Sequence, residues 1–467
     1  MTALASFEST VVSTAMPTII GDLNGLPLYS WVFSVYLLAA TVTMPLYGRL
    51  ADIYGRRRVL LIAIVLFVAG ATVCAAARSM PQLIVARGFQ GLGAGGLVPI
   101  AITVSGDLYS LPERARVQGL FSSVWGLASL VGPMAGAALT LAFGWRSIFF
   151  LNLPLGFLAL ALVATQMKES REPLSERLDV AGALTLTLGV TSLLLATLRK
   201  AGSGGAGTAL RISLLVLGAL LLGVFAWLQT RRAHPLIPPV LFRRAATAAP
   251  YLSGVLIGTT IYGVDTFVPL FVQGARGGTA AAAGAVVTPL VLGWAFSAAV
   301  AARAIVRHGF RKIAFLGALL ILIGFAGLLA GATHDAGVVF VSVACAFVGC
   351  GLGPAAIAQT LAIQEAAEER DRGVATSLVP FFRTVGGALG VGALGGILAH
   401  GLTARLGASA DVAGAHLTGA GAAPELASAV RLAIESSLVP VFWILLALGV
   451  ANVVVIRWFP GKAEPAG

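Results

Sequence analysis

Gly48-Arg49-Leu50-Ala51-Asp52-Ile53-Tyr54-Gly55-Arg56-Arg57-Arg58 separates two apolar runs, 30–48 and 59–77. Each run is long enough to cross a bilayer, which takes about 20 apolar residues as a helix. The arginines mark a sharp return to water between two crossings. Gly48 is expected to end the first helix where backbones approach closely, and Gly55 suits a turn with positive φ. Asp52 can cap a helix N-terminus and pair with a neighbouring arginine. A basic loop that only fixes orientation explains the arginines. It does not explain an acid framed by two glycines.

The same alternation runs through the whole chain. It is 58% hydrophobic and only 11% charged, against about 25% charged in soluble domains. Fourteen segments qualify as spans, from 2–21 at the start to 434–458 at the end. The expected class is therefore an all-α membrane protein with 14 transmembrane helices. The net charge of +12 would suggest nucleic acid on a soluble chain. Here the positive charge is concentrated in particular loops, so no nucleic-acid partner is expected. Of the 31 Lys and Arg, 21 follow even-numbered spans and 8 follow odd-numbered ones. That bias puts both termini in the cytoplasm, with the chain in the cytoplasmic (inner) membrane.

A repeat organises the spans. Shifted by 254 residues, Gly55, Arg57 and Arg58 fall on Gly309, Arg311 and Lys312, while Asp52 falls on Val306. The matched loops lie eight spans apart, as two six-helix bundles with two helices inserted between them require. The expected divisions are 1–167, 178–229 for the insertion, and 245–459.

Charges inside spans are costly and mark function or a partner. Glu8 sits in the first span with no basic residue in reach on its own helix, which makes it a proton-carrier candidate. Arg87, in the fourth span, either faces water or a partner, or snorkels to the near interface about 9 Å away. Asp265 lies in the ninth span, three residues beyond Tyr262, the repeat position of Glu8. Arg383, in the thirteenth, either complements an acid or snorkels. Gly91, Gly93, Gly95 and Gly96 superficially suggest a phosphate loop. They follow no strand and lack the P-loop lysine, so helix packing is the better reading. Gly386, Gly390, Gly392 and Gly396 read the same way. Gly132, Pro133 and Gly136 in the fifth span bend or thin that helix.

No Ser/His/Asp set, zinc spacing or nucleotide loop occurs in a plausible context, so no enzyme is expected. Cys74, Cys345 and Cys350 fall within apolar runs and imply neither disulfide nor metal.

Taken together, these stretches resemble the major facilitator superfamily. The loop from Gly48 to Leu60 matches its signature G-x-L-A-D-x-x-G-R-[RK]-x-x-L in full. The resemblance implies that Gly48, Asp52, Gly55, Arg56 and Arg57 latch the two bundles in the outward-facing state. Arg87-Gly-Phe-Gln90-Gly91 is similar to the family's R-x-x-Q-G element, which ties Arg87 to proton coupling. Gly132-Pro133-Met-Ala-Gly136 resembles G-P-x-x-G-G, which marks antiporters; Ala128 and Ala137 stand where glycines are usual. Phe7-Glu8-Ser-Thr10-Val-Val-Ser13-Thr-Ala-Met-Pro17 resembles the L-D-x-T-x-V-N-V-A-L-P element of the fourteen-helix drug:proton antiporter branch. Glu8 replaces the usual Asp there, and Ser13 replaces Asn. Trp145 to Gly156 and Pro235 to Arg243 resemble two further elements of that branch.

The resemblance implies a major facilitator fold and a proton-coupled antiporter. It would export small amphipathic or cationic compounds, driven by the proton gradient without a cofactor. Glu8, Asp265 and Arg87 would serve proton coupling, with Arg383 as a further cavity charge. Its partners would be substrate, protons and the bilayer, with no obligate protein partner. Two rivals stand beside this reading. One is an exporter of a lipid or native metabolite on the same scaffold. The other is a membrane receptor or scaffold that transports nothing.

Overall fold

The computed structural model describes residues 1–23, 28–169, 176–198, 204–334, 336–406 and 424–461. These residues form helices and no strand. Fourteen of the helices are long and apolar enough to cross a membrane. They are α1 (Thr2–Leu23), α2 (Tyr29–Tyr54), α3 (Arg56–Ala75), α4 (Met80–Leu108), α5 (Leu111–Phe143), α6 (Asn152–Gln166, led in by a turn over Ser147–Phe150) and α7 (Val180–Leu198). Then follow α8 (Gly204–Arg231), α9 (Ala245–Leu270), α10 (Ala280–His308), α11 (Phe310–Thr333), α12 (Val338–Ala366), α13 (Arg372–Leu406) and α14 (Pro424–Val455). Between the last two of these helices, 407–423 lies outside the described residues.

One boundary differs from the sequence reading in a way that matters. Helix α2 does not end at Gly48 but runs to Tyr54, and Gly55 breaks it with φ 93°. Asp52 therefore rides on a helix rather than in a loop. Gly48 has another use: a Cβ there would strike Ser377 and the Gly373 carbonyl. Its lack of a side chain lets α13 approach. Gly309, the repeat position of Gly55, has φ 81° and also separates two helices. The repeat read from sequence thus has a backbone counterpart at its turn.

By contact the chain forms two compact units, each assembled from separate stretches. The first comprises Met1–Leu194, Leu214–Ala248 and Thr360–Phe381. Within it, α4 is the central post, with α2 and α3 packed on it and α1 packed on α5. The glycines of α4 make this possible, because small residues let apolar helices approach at backbone distance. A Cβ on Gly91 or Gly95 would meet α2 at Tyr36, Ala39, Ala40 or Thr43. One on Gly93 or Gly96 would meet α3 at Ala63 or Phe67, or α2 again at Tyr47. In the α1–α5 seam, Gly132 faces Thr10, and Gly136 faces Thr14 and Val11. Thr10 also donates to the Ala128 carbonyl at 3.3 Å.

The second unit comprises Leu195–Ser213, Ala249–Gln359 and Phe382–Gly467. Its apolar core includes Phe267, Phe271, Phe325, Leu352 and Phe442. Helices α9 and α13 meet through Gly258 against the Arg383 backbone, Gly386 against Val255, and Gly390 against Thr259. Outside both cores lies α8, where only 6% of its apolar window is buried. A helix so bare and so apolar requires a hydrocarbon solvent.

Candidate functional site

The first cluster is built on α1, α2, α4 and α6. The α1–α5 glycine seam fixes the rotation of α1, and Glu8 turns inward, 2% exposed. Seven residues into α4, Arg87 is 1% exposed. The two meet as an ion pair between Glu8 Oε1 and Arg87 Nη1. Asn152, at the start of α6, donates from Nδ2 to Glu8 Oε2. Both carboxylate oxygens are thus engaged. Arg87 has further support, donating from Nη1 to Gln90 Oε1 at 2.8 Å and from Nε to the Val32 carbonyl at 3.3 Å. Its guanidinium carbon lies 4.0 Å from the centroid of the Tyr36 ring. The Arg87 charge therefore keeps hydrogen-bonding and aromatic partners of its own, independent of the state of Glu8.

The second cluster surrounds Asp52, 5% exposed near the end of α2. Asp52 Oδ1 accepts from the Gly373 N–H and Oδ2 from the Val374 N–H, each at 2.9 Å. These N–H groups lie in the first turn of α13, where unpaired donors and the helix dipole attract an anion. Arg56 Nη1 lies 2.6 Å from Asp52 Oδ1. Its Nε donates to Asp107 Oδ2 at 3.1 Å, and Asp107 Oδ1 accepts from Arg372 Nη1 at 3.1 Å. The charges alternate Asp52, Arg56, Asp107, Arg372 across α2, α3, α4 and α13. Arg49 adds a second link, to Asp371 at 3.1 Å and Glu176 at 2.6 Å. Glu169 accepts from the backbone N–H groups of Arg56 (2.8 Å) and Arg57 (3.1 Å), so it caps α3. Arg57 itself reaches the Ala164 carbonyl.

The structure brings together Glu8 with Arg87, Gly48 and Asp52 with α13, and Gly132 and Gly136 with α1. Pro133 lies inside α5 beside them. Asp265 and Arg383 belong to the second unit and form no such pair. Asp265 is exposed on α9, and its carboxylate makes no ion pair or hydrogen bond among the described residues. Arg383 donates to Gln359 Oε1 at 2.8 Å. Sequence reasoning assigned no role to Asn152, Gln90, Tyr36, Asp107, Asp371, Arg372, Glu169 or Glu176. Asn152 and Gln90 lay inside quoted motifs. An acid at the end of an apolar span, like Asp107, is a signal that could have been used. No group of three His, Cys, Asp or Glu among the described residues is placed to hold a metal ion.

Apolar helices of spanning length, with buried charge pairs at their seams, define a multi-pass membrane protein of a transporter's architecture. The chain belongs to the Major Facilitator Superfamily, whose family model matches residues 1–391. It is 33% identical over 395 residues to Multidrug transporter protein MdtP of Bacillus subtilis (strain 168), covering 84% of this chain and 73% of that protein. Multidrug resistance protein 3 of the same organism is 32% identical over 410 residues, covering 86% and 78%. Among solved structures, the proton:xylose symporter XylE bound to 6-bromo-6-deoxy-D-glucose superposes with a TM-score of 0.64 at 15% identity, covering 99% of this chain and 94% of that one. Family and fold are those of transporters.

Proposed function

We propose that the protein is a proton-coupled antiporter exporting small amphipathic or cationic compounds across the cytoplasmic membrane. The observation that carries this reading is the buried Glu8–Arg87 pair, with Asn152 on the second carboxylate oxygen. An ionisable pair enclosed between four helices is expensive to bury and is retained where it is used. Protonation of Glu8 removes the attraction to Arg87, while Gln90, Tyr36 and the Val32 carbonyl still hold the guanidinium. The seams of α1 with α4 and α6 then loosen. A cationic substrate draws on the same negative charge, so proton and substrate favour different states. Exchange follows when each binding event stabilises a different facing state. Relatives named as multidrug transporters support the export of varied compounds.

The Asp52 cluster is the latch of this cycle. It ties the ends of α2 and α4 to the first turn of α13, and Gly48 and Gly55 shape its backbone. We assign 1–167 and 245–459 to the two moving bundles, 178–229 to an inserted pair, and both termini to the cytoplasm. No cofactor enters the cycle.

The test is uptake of a fluorescent lipophilic cation by proteoliposomes under an imposed pH gradient. The expected result is accumulation that a protonophore abolishes. Accumulation that ignores the protonophore contradicts proton coupling. Movement of a fluorescent lipid in place of the cation favours the lipid exporter, and no flux of either favours the receptor reading.

A further inference from the structure

The second unit contains an arginine whose charge is left unanswered. Arg383, on α13, donates from Nη2 to Gln359 Oε1 at 2.8 Å. Gln359 is fully buried and is oriented from behind, its Nε2 donating to the Pro250 carbonyl at 2.7 Å. The Arg383 Nε is buried without a hydrogen-bond partner. Arg372 and Arg57 also have a buried Nε without a hydrogen-bond partner. Arg372, however, pairs with Asp107, and Arg57 reaches the Ala164 carbonyl from the other side of its fork. Arg276, in the same unit as Arg383, pairs with Glu435. Arg87 pairs with Glu8. Arg383 pairs with no acid among the described residues. A guanidinium has five N–H donors in a planar fork, and most of this fork is unused.

Arg383 is half-buried, and on the facing helix Tyr262 is half-buried while Asp265 and Thr266 are exposed. The backbone of α13 is held tightly against α9, since a Cβ on Gly258 would meet the Arg383 carbonyl and one on Gly387 would meet the Tyr262 ring. Asp265 lies three residues beyond Tyr262 on the same helix. Asp265 is therefore the charged group facing this region from α9, and it does not neutralise Arg383.

We propose that Arg383, positioned by Gln359, recognises an oxyanion carried by the transported compound, a carboxylate in the first instance. The substrates would then include amphipathic acids and zwitterions as well as cations. A carboxylate on the fork makes charge-assisted hydrogen bonds that its ester cannot replace. This inference rests on the transport reading but is tested by binding, so the two fail separately. Failure of transport appears as absent flux of any probe in proteoliposomes.

The test compares Nα-acetyl-Nε-dansyl-lysine with its methyl ester, in which only the carboxylate changes charge, using dansyl fluorescence with the full chain in nanodiscs. In the unaltered protein the acid is expected to bind at least about tenfold tighter than the ester. In Arg383→Gln that ratio should fall to about one, with ester binding unchanged, whereas Arg383→Lys should keep part of it. No saturable binding of the acid, a ratio unchanged in Arg383→Gln, or equal loss of acid and ester in that variant would overturn the proposal. Loss of both probes in Asp265→Asn as well as Arg383→Gln would show instead that the two residues serve each other.

Discussion

Glu8 and Arg87 were each legible as charges that an apolar span does not tolerate idly, but their partnership was not. The residues are 79 positions apart, and one sequence carries no signal that α1 and α4 meet at those turns. Asn152 was harder still, since an amide at a helix start reads as ordinary. The pairing changes what removal of the acid does. Glu8→Gln leaves a buried guanidinium without its counter-charge, and breaking one side of a buried pair costs about 3–5 kcal/mol. Gln90, Tyr36 and the Val32 carbonyl place the effect toward the lower end. Glu8→Gln should therefore lower the Tm of the purified protein, and adding Arg87→Gln should restore most of it. A double variant no more stable than Glu8→Gln would show that the charge pair is not what Arg87 contributes.

Among the elements, the count of fourteen helices followed from apolar length alone, because the bilayer sets the length each crossing must have. The end of α2 did not follow, because Leu50–Tyr54 suits helix and loop equally and only contact with α13 decides. Burial also revises the weight of Asp52. Were it exposed, its interaction with a helix end would contribute about 0.3–1 kcal/mol. At 5% exposure, with two backbone donors and Arg56, hydrogen bonds to a charged group contribute about 1.5–3 kcal/mol each. Asp52→Asn keeps the shape and loses the charge, so the latched state should lose population. In a Ser377→Cys background, where the cysteine lies against Gly48, maleimide labelling should then accelerate about tenfold or more. Unchanged labelling would leave the loop as a plain basic turn. The packing glycines give a cleaner contrast. A Cβ on Gly93 would press on the Ala63 carbonyl and the Phe67 backbone, whereas one on Gly223 meets nothing. Gly93→Ala should cost about 1–3 kcal/mol of stability and Gly223→Ala close to none, read as thermal shifts in detergent.

For the whole molecule, the repeat was visible only as a few matched loop positions, yet its turn glycines share a positive φ, 93° at Gly55 and 81° at Gly309. What the repeat did not carry over is the charge distribution. The first unit closes its buried charges into pairs, while the second leaves Asp265 and Arg383 apart. The pattern of small and apolar residues fixes helices and seams locally, so it survives in both halves. Charge partnership depends on which turns meet, and a loop match cannot report that. The proposed proton carrier thus lies in the first unit, and the proposed oxyanion contact in the second. The most direct measurement compares unaltered protein with Glu8→Gln in proteoliposomes, following a fluorescent lipophilic cation in two modes. One mode is accumulation driven by a pH gradient, and the other is exchange of external for internal substrate with no gradient. The account predicts that Glu8→Gln loses gradient-driven accumulation and keeps exchange, and that Glu8→Asp retains part of both. Full gradient-driven accumulation in Glu8→Gln would contradict the account and place proton coupling on another residue.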